Sequence, residues 1–568
     1  MDTIPTINPY PWRRFYPKEV PDEINPDAYP SLAALLEDGC RTFSDRPAYA
    51  CMGKQITFGE LDKLSAQFAS FLQNELKLRK GDRLAIQMPN CLQYPVAMFG
   101  ALRAGLAVVN TNPLYTPREM QHQFKDSGAK TIVILANFAS NLEKIIARTD
   151  IQHVVVTQLG DLLGFPKKQL VNAVVNYVKK LVPAYQLSEA ISFTDALSRG
   201  STQPFRPVAI QPSDLAYVQY TGGTTGVSKG AMLTHRNIIA NVEAQNYWLK
   251  PSHIPDGEGI MVAALPLYHV YALTTNALAA LKNGSMNLLI TNPRDFNAFI
   301  DDLKKYKITA FTGVNTLYNG LLNQPRIGEV DFSHLKVTSA GGMALQTSVA
   351  ERWAKLTGNT PCEGYGLTET SPVLSSNPVD GTVRVGTIGI PWPSTEMKII
   401  RDDGSDAPIG EAGEIVARGP QVFIGYYNRP DETANVMLPG NWFKTGDVGV
   451  MNEDGFFKIV DRKKDMILVS GFNVYPNEIE DVVAQCPGVS EVACIGVPDE
   501  KSTEVVKIFV VKKDPDLTTE TIKAFCRENL TAYKVPRMIE FRNELPKSNV
   551  GKILRRPLRD EELEKLKK

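Results

Sequence analysis

Short unbroken apolar runs recur along the first third of the chain, at 83–88 (RLAIQM), 107–109 (AVV), 131–135 (TIVIL) and 153–157 (HVVVT). Such runs read as strands buried on both faces. Between them, 61–76 and 94–104 place apolar residues at helical spacing. A strand at 215–219 and a helix at 235–249 continue the alternation. Strands alternating with helices predict an α/β fold, its mostly parallel sheet covered on both faces. A fresh pattern begins after the charged stretch DRKKD at 461–465: helix at 478–484, strands at 492–497 and 505–511, helix at 519–530. We read this as a separate small α+β domain behind a linker that can absorb rotation. No internal repeat or low-complexity tract is found.

Two stretches break the pattern. Residues 1–30 carry seven prolines and little periodicity, and are expected to form an arm lying over the surface. Residues 165–183 (FPKKQLVNAVVNYVKKLVP) place Leu170, Val171, Val174, Val175, Val178, Leu181 and Val182 on one helical face, flanked by Lys167, Lys168, Lys179 and Lys180. A basic amphipathic helix of this kind suits a membrane interface; an apolar stripe packed on the core is the alternative. The expected divisions are an arm at 1–30, a large domain at 31–461, a hinge at 462–465 and a small domain at 466–568.

Composition narrows the function. Lys plus Arg number 62 and Asp plus Glu 62 among 568 residues, which argues against a globally basic nucleic-acid binder. With 43% hydrophobic residues the chain can build large cores, unlike an acidic disordered chain. The seven cysteines form no CxxC pair and no zinc-ligand spacing, and read as buried thiols in a reducing cytosol. The N-terminus lacks the apolar stretch of a signal peptide, and no 18-residue apolar run predicts a membrane span. A cytoplasmic protein is expected, with a peripheral place on the cytoplasmic face of the inner membrane as the alternative.

The strongest chemical signal is YTGGTTGVSKG at 220–230, between the 215–219 strand and the 235–249 helix. Glycines let backbone amides approach an anion, threonine hydroxyls add donors, and Lys229 adds charge, a combination suited to polyphosphate. It is not a Walker A loop, because the lysine is not flanked as that motif requires. The same residues contain GVSKG, which matches the GxSxG elbow of serine hydrolases with Ser228 as nucleophile. That reading needs a histidine after an acid further along, and the last 234 residues (568 − 334) hold none. AGGMA at 340–344, GYGLTET at 364–370 and KTGD at 444–447 follow. A tyrosine between glycines leaves a ring face open for a base, Glu369 offers a hard oxygen for Mg²⁺, and Asp447 could accept from ribose hydroxyls. Finally, PKSNVGKILR at 546–555 puts two lysines in a loop near the C-terminus.

In this order and spacing, YTGGTTGVSKG, GYGLTET, NWFKTGD, DRKKD and PKSNVGK resemble the ANL adenylating superfamily of acyl-CoA synthetases, luciferases and peptide-synthetase adenylation domains. The resemblance spans about residues 30 to 560, and 440–464 is similar to the signature segment of fatty acyl-CoA synthetases. It implies a large N-terminal domain of stacked α/β subdomains with a β-barrel-like part, and a small mobile α+β lid. It implies ATP-dependent activation of a fatty acid, of long chain, through acyl-AMP to acyl-CoA. ATP and coenzyme A would be co-substrates and Mg²⁺ the cofactor. A medium-chain or aryl acid is the alternative substrate, and transfer to a carrier protein a further one.

By motif position, Thr221, Gly222, Gly223, Thr224, Thr225, Gly226 and Lys229 would hold the β- and γ-phosphates. Tyr365, between Gly364 and Gly366, would stack on adenine beside Gly341 and Gly342. Thr368 would bind the α-phosphate, and Glu369 with Thr224 the Mg²⁺. Asp447 and Arg462 would bind the ribose. Lys552 would bridge the carboxylate and α-phosphate, and Lys464 matches the hinge position. Tyr268, His269 and Gly313 match acyl-pocket segments, and the loop at Gly471 would face the site in the second step.

Overall fold

The computed structural model describes residues 10–221, 228–470, 472–499, 502–548 and 551–566. Two sheets dominate the large domain. In the first, Ile191–Ser192, His153–Thr157, Thr131–Leu135, Arg83–Gln87, Ala107–Asn110 and Leu215–Thr221 run parallel in that spatial order. Lys229–Thr234 closes this sheet antiparallel to Leu215–Thr221, with Thr221 opposite Lys229. The second sheet has nine strands. Its parallel centre runs Cys362–Gly366, Val337–Ala340, Ala310–Gly313, Ile260–Ala263, Met286–Leu289, Pro47–Cys51. Parallel order needs crossover helices, and these cover the faces.

One apolar core joins the two sheets. Buried polar groups lock their contact. Asn90 donates to the carbonyls of Ala263 (2.8 Å) and Leu265 (2.9 Å) and accepts from the Leu267 amide (2.8 Å). Tyr94 donates to the Leu267 carbonyl at 2.8 Å. These bonds fix the loop that carries Tyr268 and His269.

The barrel-like part is an antiparallel sheet of five strands: Glu396–Ile400, Gly413–Arg418, Trp442–Met451, Met437–Leu438 and, paired to Trp442–Met451, Phe457–Arg462. Among the described residues its pairing does not close into a ring. The N-terminal segment does more than lie over the surface, since Trp12, Val20 and Ile24 are buried in a second core with Trp248, Trp392 and Phe457. Beyond a short 3₁₀ helix at Pro11–Phe15 the segment is irregular, but its aromatic and aliphatic side chains still find an apolar face.

The small domain is built on Thr503–Lys512, flanked by Val489–Asp499, Ile467–Val469 and the parallel strand Met538–Arg542. Helices Pro476–Gln485, Thr519–Asn529 and Arg555–Leu566 complete it. All seven cysteines are free and buried. No helix among the described residues is long and apolar enough to cross a membrane.

The stretch at 165–183 forms a helix at Lys167–Ala173 and a wider π turn at Val174–Val178. Of its apolar residues Val175 is buried, whereas Phe165 (86%), Leu170 (63%), Tyr177 (77%), Val178 (74%) and Leu181 (52%) are exposed. Val171 and Val182 also pack against the core, so four of the stripe's seven residues, Leu170, Val174, Val178 and Leu181, are exposed and three are not.

Candidate active site

A cavity of about 800 Å³ opens at the carboxyl ends of the nine-stranded sheet. Ligands of open α/β sheets bind at such ends. Thr312, Gly341, Gly342, Gly364, Tyr365 and Gly366 form this rim. Gly366 must be glycine, because a Cβ there would stand 1.8 Å from the Pro372 carbonyl oxygen. At Gly341 a Cβ would press at 3.0 Å on the ring of Tyr271, which also lines the cavity.

From the rim the cavity continues along the sheet face, reaching Met261, Ala310 and Val337 beneath Trp248 and Leu249 of the helix His235–Leu249. Val337 and Ala310 begin strands whose far ends stand at the rim. Four residues of strand make this arm about 13 Å deep at ~3.3 Å per residue. Its lining there is apolar. Tyr268 and His269 stand at its mouth. The His269 Nδ1 accepts the Tyr271 amide at 3.3 Å. Burial, aided by the Lys552 charge, pushes its pKa down to about 4, so the ring is neutral at physiological pH. Gly313 packs on the Tyr318 ring, and it is its neighbour Thr312 that lines the cavity.

The polar end is assembled from several elements. Tyr365 donates to Asp447 Oδ2 at 2.7 Å, and Arg462 Nε faces Asp447 Oδ1 at 3.4 Å. Both residues come from neighbouring strands in register, Asp447 opposite Arg462. Thr368 and Glu369 occupy a short 3₁₀ turn, Thr368–Thr370, that directly follows the glycine-flanked strand. Glu369 is buried, and Tyr426 donates to its Oε1 at 2.6 Å. Burial raises the Glu369 carboxyl above the usual range, with the Tyr426 hydrogen bond opposing. Such a carboxylate gains from a cation beside it.

Thr221 and Lys229 line the cavity from the hairpin. Lys229 pairs with Glu432 and lies 5.3 Å from the centre of the Tyr426 ring. Gly222, Gly223, Thr224, Thr225 and Gly226 lie outside the described residues, as does Gly471. The described residues on either side of the glycine-rich segment are antiparallel neighbouring strands, so it is followed by a strand and not by a helix. For the same reason Ser228 is not on a strand-to-helix elbow. The nearby His122 Nε2 meets the Ser228 carbonyl oxygen, at 3.1 Å, and not its hydroxyl. The hydrolase reading has no support in this geometry.

Lys552 enters from the small domain. It lies in a tight turn, with its carbonyl accepting from the Ser548 amide at 2.7 Å and its amide donating to Ser548 Oγ at 3.1 Å. The turn is docked by Thr316 Oγ1 donating to the Gly551 carbonyl at 2.8 Å, and nearby Asn319 donates to the Ser490 carbonyl at 3.2 Å. Lys552 borders the open cavity by surface area, yet its ammonium is closely surrounded by protein. Burial first, then the Arg462 charge, push its pKa down to about 7, with Asp447 opposing. Lys464, also lining the cavity, is lowered to about 8 by burial and Arg462. The site thus gathers three cations, Arg462, Lys464 and Lys552, at the junction of the apolar arm and the Tyr365–Asp447 pair. That arrangement can bring two anions together.

Tyr426, Glu432 and the lining of the apolar arm were not anticipated from the sequence. The motif GYYNRPDET at 425–433 was the available signal for the first two. The arm residues come from separate elements and carry no local signature.

Comparison with known proteins agrees with this architecture. Residues 36–427 match the model of the AMP-binding enzyme family, and 478–552 match the AMP-binding enzyme C-terminal domain. A long-chain-fatty-acid–CoA ligase of Escherichia coli O6:H1 is 56% identical over 550 residues, covering 97% of this chain and 98% of that protein. One of the same name from Haemophilus influenzae is 55% identical, covering 98% and 99%. Among solved structures, an anthranilate CoA ligase in complex with anthranoyl-AMP superposes with a TM-score of 0.85 at 24% identity, covering 96% of this chain and all (100%) of that one. That likeness supports the fold. The chain belongs to the AMP-binding, adenylate-forming enzyme family, with both its large domain and its C-terminal domain present.

Proposed function

We propose that the protein is a long-chain fatty acid–CoA ligase. The fatty carboxylate attacks the α-phosphorus of ATP, giving acyl-AMP and pyrophosphate. The sulfur of coenzyme A then attacks the acyl carbon, its thiol proton is lost, and AMP leaves. The full-length similarity to fatty acid–CoA ligases supports the reaction. The single observation that carries the substrate class is the apolar arm past Trp248 to Met261 and Val337, which begins where Lys552 and Arg462 converge. An aryl acid would not need its depth.

The first step joins two anions, so its catalysis is positioning and charge neutralisation. In this reading Lys552 holds the carboxylate and α-phosphate together, with Thr368 donating to the latter. Tyr365, fixed by Asp447, offers a ring face to adenine, and Asp447 and Arg462 hold the ribose. Thr221, Lys229 and the glycine-rich segment 222–226 hold the outer phosphates. ATP would release Lys229 from Glu432.

Mg²⁺ fits this donor set as an ion carried by the nucleotide. Among the described residues no three His, Cys, Asp or Glu side chains cluster as a metal cage. Mg²⁺ commonly needs only one or two carboxylates plus substrate phosphates, and Glu369 supplies one. The ion would neutralise phosphate charge, with Thr224 a second oxygen donor. For coenzyme A to enter, Lys552 must withdraw. The small domain would turn about 462–465, bringing the loop at Gly471 to the site.

The test is oleate-dependent exchange of labelled pyrophosphate into ATP without coenzyme A, followed by oleoyl-CoA formation when it is added. Exchange that ignores fatty acids would defeat the reading.

The exposed apolar face at 165–183, rimmed by Lys168, Lys179 and Lys180, also supports peripheral contact with anionic lipid, the phase in which fatty acids reside. Sedimentation with anionic vesicles should fall when Lys167, Lys168, Lys179 and Lys180 are all made glutamine. Unchanged sedimentation would refute the role.

A further inference from the structure

Asp461 is fully buried on the strand Phe457–Arg462, paired with Val448 in the large-domain sheet. Its two long-range partners nevertheless lie beyond residue 465. Its Oδ2 accepts the Asn477 amide at 2.9 Å, in the first turn of the helix Pro476–Gln485. Its Oδ1 accepts Arg555 Nη1 at 2.9 Å, and also the adjacent Arg462 amide at 2.7 Å. Arg555 opens the last helix, only three residues after Lys552. Its remaining donors go to Glu480 Oε1 (2.9 Å), Glu480 Oε2 (2.7 Å) and Asn477 Oδ1, all within the small domain. Asp465 stands 3.6 Å from Arg555 and 3.3 Å from Arg559. None of Asp461, Asn477, Glu480 or Arg555 lines the cavity.

We propose that Asp461 is a tether across the hinge, holding the small domain in the geometry that places Lys552 in the site. It is a positioning residue, acting through Arg555 and the capped helix. One carboxylate joins the large-domain sheet to the small domain at a helix N-terminus and at a guanidinium. Both sites are favourable for a negative charge. Turning about 462–465 leaves Asp461 with its sheet and carries Asn477 and Arg555 away. Turning therefore gives up a charge-assisted bond to Arg555 and the Asn477 amide bond, so these bonds weight the balance toward the adenylation geometry. Arg555 keeps Glu480 in either geometry, so the small domain holds together. The proposal rests on the two-geometry reading of the reaction above.

The decisive variant is Asp461→Asn, which keeps an acceptor for the Asn477 amide and removes the charge facing Arg555. Domain geometry is read independently of catalysis by placing cysteines at Asn319 and Ser490, which meet across the domains. The rate of joining them with a short bismaleimide is then measured; the native cysteines are all buried. We expect Asp461→Asn to slow cross-linking and oleate-dependent pyrophosphate exchange about ten-fold, while acyl-CoA formation from supplied oleoyl-AMP is unchanged or faster. Unchanged cross-linking, or both half-reactions falling together, overturns the tether. If Asp461→Asn fails to fold, Arg555→Lys decides by the same readouts, since it weakens the bond to Asp461 from the other side. If the wild-type protein ignores fatty acids altogether, the ligase reading fails, while cross-linking still reports on the tether.

Discussion

Replacing Lys552 by alanine should separate the two half-reactions. The lysine belongs to the small domain, and the cavity holds its ammonium beside Arg462 with its pKa lowered from 10.5 to about 7. At ~1.36 kcal/mol per unit this is roughly 5 kcal/mol against the charged form. It is an upper bound, because the side chain borders the open cavity. The incoming carboxylate and α-phosphate offset that cost by stabilising the ammonium between them. Loss of one preorganised donor to a developing anion costs about 3 to 4 kcal/mol, or roughly 10²- to 10³-fold in rate. We therefore expect oleate-dependent pyrophosphate exchange to fall by that factor in Lys552→Ala. Single-turnover formation of acyl-CoA from supplied acyl-AMP should fall less than about ten-fold, because the proposed second geometry withdraws Lys552 from the site. Equal loss in both assays would refute the assignment of Lys552 to one step.

Four further outcomes are expected. Binding of ATP and oleate at pH 8 should take up a proton, because incoming anions raise the lowered pKa of Lys552; calorimetry in buffers of different ionisation heat measures it, and uptake that survives Lys552→Ala would contradict the account. In the free protein the folded lysine releases its proton near pH 7 whereas the unfolded one keeps it to 10.5, so this group's destabilisation is relieved as pH rises through that window, and the gain should vanish in Lys552→Ala melts. Tyr426→Phe removes the bond to Glu369 and should raise the Mg²⁺ concentration needed for half-maximal exchange about ten-fold, by analogy with other partners that orient metal ligands; an unchanged Mg²⁺ curve would separate Tyr426 from the metal. Ala310→Trp fills the apolar arm and should abolish palmitate activity while retaining octanoate activity, as read by AMP release; equal loss with both acids would mean disruption of the fold rather than a shortened arm.

The sequence was most legible where structure is local. The runs at 131–135 and 153–157 are the strands Thr131–Leu135 and His153–Thr157, because a strand buried on both faces must be apolar throughout. The helix at 235–249 is bounded by Thr234, whose side chain caps it. Glycines around Tyr365 were legible because close backbone approach excludes side chains, as the Pro372 carbonyl beside Gly366 demonstrates. What stayed hidden depends on distant pairs. Tyr426 and Glu369 are 57 residues apart, and Arg555 and Asp461 94. Nothing in a linear pattern marks such partners. Lys229–Thr234 was missed as a strand because its alternation is short and follows glycines. Burial of Trp12 was hidden by the prolines around it.

The most direct measurement of the central claim is the release of AMP from ATP, with Mg²⁺ and coenzyme A, across saturated acids from hexanoate to stearate, oleate, and a panel of aryl acids. The account predicts the highest kcat/KM for palmitate or oleate and little turnover of benzoate. A preference for aryl acids, or no AMP with any fatty acid, would contradict it.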